Sequence, residues 1–548
     1  MKPSPFLISA IFLGLSIIRI PAVEQSSLTQ GAEMAADVAS AKISTLEQLR
    51  AARKRLAGRR RRIIFNNDGC DAVYKCDEAT PEALLKCRTT DLVGTQVDTI
   101  SYCTWCSGFG YFTHNTKLGS VFIETRVAGA PDKIGFSKNT VGAFLEQGTD
   151  PLKIMVDFCK QNNIEIWWSM RMNDTHDRYH KLWKASYHYS PFKKNHPDWI
   201  IHPENPKVTA VNYAVPEVRD MALAFIREVC DNYDIDGIDL DFYRHLLYFP
   251  CNAEGKDAGQ EECDMMTDLM RRVRLMTEEV GLKRGRPILV SVRVPDSVGY
   301  CKAKGFDIVR WLEEGLIDTM EVSGYVRLNP WKTSAELAHR YDVPVYACLS
   351  ESRMKQRGPR RSNACYRGRA LNAWDAGMDG IYMFNFFNPK QPLWDQLGDP
   401  SLLRKKTKVF TTGARGVTKN YLDQWLVNGE RFLSRDPVSP ERKRILKPGE
   451  PVTITLFVGQ QLDHENSKSP KVELQLWTTN KIGTADLVVR LNGRPLAGGV
   501  EGESEGWLAW PIEPKWVHHG TNQFQITLKT ENPAAKAKLK DLLLWAWY

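Results

Sequence analysis

The stretch YDIDGIDLDFYRH, residues 233–245, sets acid into a segment otherwise built for burial: Asp234, Asp236, Asp239 and Asp241 are interleaved with Ile235, Ile238, Leu240 and Phe242. Residues 237–242 alternate with the period of two that marks a strand. In a closed barrel wrapped by helices, one face of such a strand meets the helices and the other fills the interior. Ile238, Leu240 and Phe242 then face the helices, and Asp239, Asp241 and Tyr243 point inward. Buried carboxylates are costly unless paired or put to use, and barrel chemistry collects at the C-terminal ends of the strands. Asp241 is therefore expected near the mouth, with Asp239 one layer deeper.

Working outward, short β-branched runs alternate with longer helical stretches from Arg62 onward. The strand candidates are RIIFNND, VDTISYCTW, IEIWWSMRMN, IDGIDLDF, PILVSVRV, IDTMEVSG, VPVYACLS and DGIYMFNFF. Eight such alternations fit an α/β fold, a (β/α)8 TIM barrel, over residues 61–412. An open doubly wound sheet is the alternative, but no G-x-G-x-x-G or phosphate loop follows any strand. After residue 412 short strands with turn residues between them, such as PVTITLFVGQ and KVELQLWTTN, predict an antiparallel β-sandwich over residues 413–548.

The chain has 548 residues and a formal charge of +9, a mild excess that does not argue for nucleic acid. Lys2, the apolar run FLISAIFLGLSII and small Ala22 resemble an export signal over residues 1–22, with an uncleaved N-terminal anchor as the rival reading. No later segment is long and apolar enough to span a bilayer. Residues 23–60 form a lead-in ending in an amphipathic helix, and the arginines at 59–62 are expected to be solvated. In an exported chain some of the twelve cysteines would pair, Cys251 with Cys263 being the first pair to test.

Other strand ends carry polar groups on the inward face. Strand one ends in Asn66, Asn67 and Asp68, strand three offers Ser169, Arg171 and Asn173, and strand five Ser291 and Arg293. Strand six brings Thr319, Glu321 and Ser323, with Tyr325 just beyond, and strand eight reaches Asn385. Tyr102 and Trp105 after strand two are candidate sugar platforms, as are Trp183, Tyr187 and Tyr189 after strand three. His176 and His180 have a spacing that can hold zinc, but no clear third ligand accompanies them, and neither metal nor cofactor is expected. The loop after strand seven carries Arg353, Lys355, Arg357, Arg360, Arg361, Arg367 and Arg369. Arginine forks suit carboxylate and sulfate, so this loop predicts an anionic glycan, uronic or sulfated, against a bland reading as a solvated basic loop.

NHPDWIIHPE followed by VNYAVPEVRDMALAFIREVCDNYDIDGIDLDFYRH resembles the family-10-like glycosyl hydrolases. The matching residues are His196, Pro197, Trp199, Pro216, Val218, Arg219, Tyr233, Asp236, Gly237, Asp241 and Arg244. The strand-four run is also similar to that of the alpha-amylase clan, where the position of Asp241 carries the nucleophile and His245 also matches, while Asp239 stands where that clan has arginine. Chitinase-type barrels are matched through Asp241 but have glutamate at the position of Tyr243.

The resemblance implies an exported glycoside hydrolase acting on a poly- or oligosaccharide. Hydrolysis needs two carboxyl groups flanking the scissile bond. Asp241 is the expected nucleophile or stabiliser and Glu321 the expected acid/base, with Asp296 and Glu351 as rivals for the second role. Asn66, Tyr102, Trp105, Arg171, Asn173, Asp239, Tyr243, Arg244, Arg293, Tyr325 and Asn385 are the expected substrate contacts. A barrel that binds glycan without turnover is the alternative, and an envelope protein that neither binds nor cleaves glycan is a third.

Overall fold

The structure, a computed structural model, describes residues 43–548 except 106–107, 126–135, 178–188, 206–207, 325, 351–357, 413–428, 436, 464–468, 480–481 and 530–536. Eight parallel strands close a barrel: Ile63–Asn67, Val97–Cys103, Glu165–Arg171, Gly237–Asp241, Leu289–Val294, Thr319–Val322, Val345–Ser350 and Gly380–Phe384. Each falls within one of the eight predicted runs. Helices cover the barrel, so its strands are buried on both faces. The third strand, EIWWSMR, is closed to solvent along its whole length. Gly237 opens the fourth strand because Trp167 of the third fills the interior there. A Cβ at Gly237 would lie 2.8 Å from that indole.

The helix Pro216–Asn232 starts with proline in its first turn and buries Val218, Ala222, Phe225, Ile226 and Val229, spaced as one helical face. It packs on Gln260–Arg284. The lead-in helix Leu46–Ala57 docks on that same long helix, with Arg50 and Arg53 both reaching Glu278. The basic run behind it is not wholly solvated as expected: Arg61 is 0% exposed and closes the bottom of the barrel against Glu165.

Two antiparallel sheets follow, one in the order Lys408–Thr411, Lys538–Trp547, Lys471–Thr478, Trp507–Ile512, Val500–Glu501, the other Pro451–Val458, Gly520–Leu528, Leu487–Leu491, Arg494–Pro495. The strand Pro451–Val458 alternates buried and open residues along its second half, as a half-buried strand should. The sandwich is fixed to the barrel at the helix Asn363–Asp375. Gly368 lies so close to the strand beside it that a Cβ would meet the Val409 carbonyl, and Asn372 donates to Phe457 O at 2.8 Å. Arg360 forms a buried two-pronged pair with Asp541 at 2.6 Å, so this member of the basic loop braces the sandwich instead of facing a ligand.

Cys251 and Cys263 are not joined: the first lies 3.8 Å from a Glu262 oxygen and the second 3.6 Å from Lys302 O. The described cysteines other than Cys103 are free thiols. No described helix is long and apolar enough to cross a membrane. The predicted export signal lies outside the described residues.

Candidate functional site

The barrel interior is a column of polar side chains in three layers. At the bottom Glu165 takes two bonds from Arg61, at 2.6 and 2.7 Å, and one from Thr99 Oγ1 at 2.7 Å. In the middle Asp239 accepts from Ser101 Oγ at 2.5 Å and Tyr382 OH at 2.7 Å. Glu321 accepts from Ser291 Oγ at 2.6 Å, and Ser291 in turn accepts from Thr319. At the top Arg293 Nη2 donates to Asp241 Oδ2 at 2.6 Å, while Asp241 Oδ1 takes the Tyr243 backbone N–H at 2.9 Å.

The middle layer holds acids that resist ionisation. Burial, then the neighbouring Asp241, pushes Asp239 up to about 6. Burial, then Asp239, holds Glu321 well above the usual glutamate range. Asp239 Oδ1 and Glu321 Oε2 have no hydrogen-bond partner among the described residues. Glu321 is 0% exposed, against 3% for Asp241. Glu321, the expected acid/base, thus lies in the layer below Asp241 instead of at the mouth. Its side chain has no exposed surface there.

Other expected contacts also fall elsewhere. Tyr102 is buried on the helix side of its strand, and Trp105 packs against Phe122 with ring centroids 4.1 Å apart, so neither forms an open platform. Asn173 is spent on a cross-brace to Val211 and Leu247. Tyr243 exchanges hydrogen bonds with the Val326 backbone. Asp296, the rival acid, is buried and takes the N–H groups of Leu328 and Asn329. Asn66 sits inside the barrel against Ser101, and Asn385 is half-buried at the end of strand eight. Tyr325, Trp183, Tyr187, His180 and Glu351 lie outside the described residues, as do Arg353, Lys355 and Arg357.

Around Asp241 the mouth carries a charged rim that sequence reading assembled only in part. Arg171 reaches Asp174 at 3.2 Å, Asp174 takes His176 Nδ1 at 2.8 Å, and Arg244 donates to His176 Nε2 at 3.0 Å. Because Nε2 accepts from a guanidinium, the His176 proton sits on Nδ1. Burial, then Arg244, holds its pKa down against the pull of Asp174. Burial works to raise Asp174, but His176 and Arg171 outweigh it and hold the carboxyl well below the usual range. Asp68, at the end of strand one, is drawn down to about 2 by Arg88 and Arg171 although burial opposes this. Asp174 went unnoticed in the sequence. The signal was its place directly after the third strand, in RMNDTHD.

Ligand atoms of Asp174, His176 and His245 lie within 4.8 Å of one another, a spacing that admits a cation. The donor set does not fit one. His245 Nδ1 accepts the Thr175 N–H at 3.0 Å, so its Nε2 carries a proton, and His176 Nε2 is taken by Arg244. The backbone at the mouth is strained. Trp105, Ser323 and Asn385, just past strands two, six and eight, have φ of 65°, 74° and 53°. Such left-handed residues gather at functional sites.

Residues 119–264 match the model of the family Glycosyl hydrolase-like 10. A Bacillus subtilis protein named "Glycosyl hydrolase YngK" is 30% identical over 134 residues, 23% of this chain and 25% of that protein. The chain thus aligns with about a quarter of that relative's length. Among solved structures, a Paenibacillus cycloisomaltooligosaccharide glucanotransferase is similar with a TM-score of 0.33 at 8% identity, over 88% of this chain and 57% of that one. An alpha-L-fucosidase from Paenibacillus thiaminolyticus reaches 0.37 at 10% identity, over 63% and 49%. Likenesses this low carry no weight for function. Residues 119–264, which include the fourth strand and Asp241, are thus similar to the Glycosyl hydrolase-like 10 family and to a part of the Bacillus protein.

Proposed function

We propose that the chain is an exported glycoside hydrolase that works at the barrel mouth, with Asp241 as the carboxylate facing the anomeric carbon. The observation that carries this reading is Asp241 itself. It lies at the C-terminal end of strand four, inside the glycosyl hydrolase-like segment, and is oriented by Arg293. The proton donor has to come from outside the sealed layers. Asp68 and Asp174 are held ionised, and Asp296 is tied to backbone N–H groups. We assign the donor role to Glu351, which directly follows the last residue of strand seven. The substrate is a poly- or oligosaccharide with acidic groups, a choice supported by the arginines around strands six and seven.

The test is release of reducing ends from a panel of neutral, uronic and sulfated glycans. Turnover by the native chain, lost in Asp241→Asn and Glu351→Gln while both still melt cooperatively, is the expected result. One observation favours a second reading, glycan binding without turnover: both oxygens of Asp241 are already engaged and the residue is only 3% exposed. Binding with no release anywhere on the panel would select it. Export is tested by N-terminal sequencing of the mature protein, with a start near Ala22 expected.

A further inference from the structure

A small notch opens where strands six and seven end, lined by Ser323, Gly324 and Ser350 together with Arg327, Arg369 and Arg435. Its free volume is about 30 Å³. That holds a carboxylate or sulfate group and no sugar ring, since one water needs about 10–15 Å³ by the same measure. The notch adjoins a cleft of about 810 Å³ between barrel and sandwich, and Arg327, Trp331 and Arg435 line both. A cleft of that size accommodates an oligosaccharide.

Among the described residues the charge in the notch is one-sided. None of its described lining residues is acidic. Arg327 lies over the Trp331 ring at 5.1 Å, and its buried Nε has no acceptor among the described residues. Arg369 donates to Ser350 O at 3.3 Å, and Arg435 to the Thr412 carbonyl. The carboxylate that acts on Arg327 and Arg435, Asp296, is occupied by the backbone N–H groups of Leu328 and Asn329. Burial, then the positive charge of Arg435, holds Arg327 well below the usual arginine range. Three guanidiniums gathered in a confined space repel one another unless an anion lies between them.

The notch also touches the candidate site. A Cβ on Gly324 would lie 2.9 Å from Arg293 Nη1 and 3.6 Å from the Tyr243 ring, so the notch wall backs onto the Asp241–Arg293 pair. We propose that Arg327, Arg369 and Arg435 bind the acidic group of the glycan, a uronate carboxylate or a sulfate ester, while the rest of the chain lies in the barrel–sandwich cleft. This rests on the glycan reading of the barrel and adds its substrate class.

Calorimetric titration with glucuronate, galactose 6-sulfate, glucose, galactose and inorganic sulfate tests it. At least one acidic sugar is expected to bind about tenfold or more tighter than its neutral counterpart, the weight of a charged hydrogen bond. Which of the two acidic sugars binds tells carboxylate from sulfate ester. The preference should shrink about tenfold in Arg327→Gln and in Arg369→Gln. Arg327→Lys keeps the charge and the packing on Trp331 but loses the fork, and should fall between, which covers the case of a poorly folded glutamine variant. Acidic and neutral sugars bound alike, affinity unchanged in the folded variants, or inorganic sulfate bound as tightly as both acidic sugars would each overturn the proposal. Arginine-dependent binding without reducing-end release in any glycan overturns hydrolysis alone. Release from a neutral glycan, indifferent to these arginines, overturns the notch alone.

Discussion

The two ends of the barrel each bury an arginine against a carboxylate, and they do so differently. At the bottom Arg61 meets Glu165 side-on through two bonds, and its remaining N–H groups reach the carbonyls of Leu56, Ala57 and Arg59 and the hydroxyl of Tyr346. At the mouth Arg293 meets Asp241 end-on, through Nη2 to Oδ2, and lies over the Phe384 ring at 4.0 Å. The bottom pair closes its polarity onto itself and onto the entering chain. The mouth pair sits among left-handed backbone turns and a histidine-bearing rim. The same chemistry serves as a plug where the entering chain closes the bottom and as a candidate site where a carboxylate stands at a strand end.

That contrast breaks if the plug proves dispensable. Arg61→Ala leaves Glu165 buried without its partner and should cost about 3–5 kcal/mol of stability, read by urea unfolding. The folded fraction should keep its turnover. Asp241→Asn should show the opposite balance. Turnover falls by about 10²-fold or more, while stability drops by only about 1–3 kcal/mol, the cost of weakening one charged hydrogen bond. A stability loss from Asp241→Asn larger than that from Arg61→Ala would mean that the mouth pair, too, is mainly structural.

The strands and their inward faces were legible because alternation is a local property. Asp239, Asp241, Ser291, Arg293 and Glu321 all point inside, as their positions along each run require. Depth was not legible. Glu321 pairs with Arg293 on one side and Tyr346 on the other. Tyr346 meets Arg61 at the bottom, whereas Arg293 meets Asp241 at the top. Strand tilt lowers each step around the barrel, so a glutamate near the end of its own strand still lies below the mouth. Arg61 was misread for a related reason: a run of four arginines looks solvated until the chain's path turns one of them into the barrel.

The middle layer sharpens the comparison through pH. Asp239 is raised from 3.8 to about 6, so the folded state holds its proton more tightly than the unfolded state between those values. Its contribution is therefore full below the lower value and is lost as pH rises through the upper one. Asp239→Asn removes this dependence. Relative to the native chain, its stability should rise between pH 4 and pH 6 and then level off, measured by urea unfolding across that range. A flat difference would mean that Asp239 ionises freely, and that the interior is wetter than its burial implies.

Glu321→Gln gives the smallest expected effect and is for that reason the finest test. A glutamic acid that keeps its proton is nearly isosteric with glutamine, and the carbonyl oxygen can still accept from Ser291 Oγ. Stability should change by less than about 1 kcal/mol, and turnover by about threefold at most. The competing expectation, Glu321 as proton donor, predicts loss of turnover with the melting temperature unchanged. That outcome would require substrate to reach a side chain with no exposed surface, and so a barrel that opens to its second layer. Glu351 would then yield the donor role, and the division between a closed column and an active rim would move one layer down.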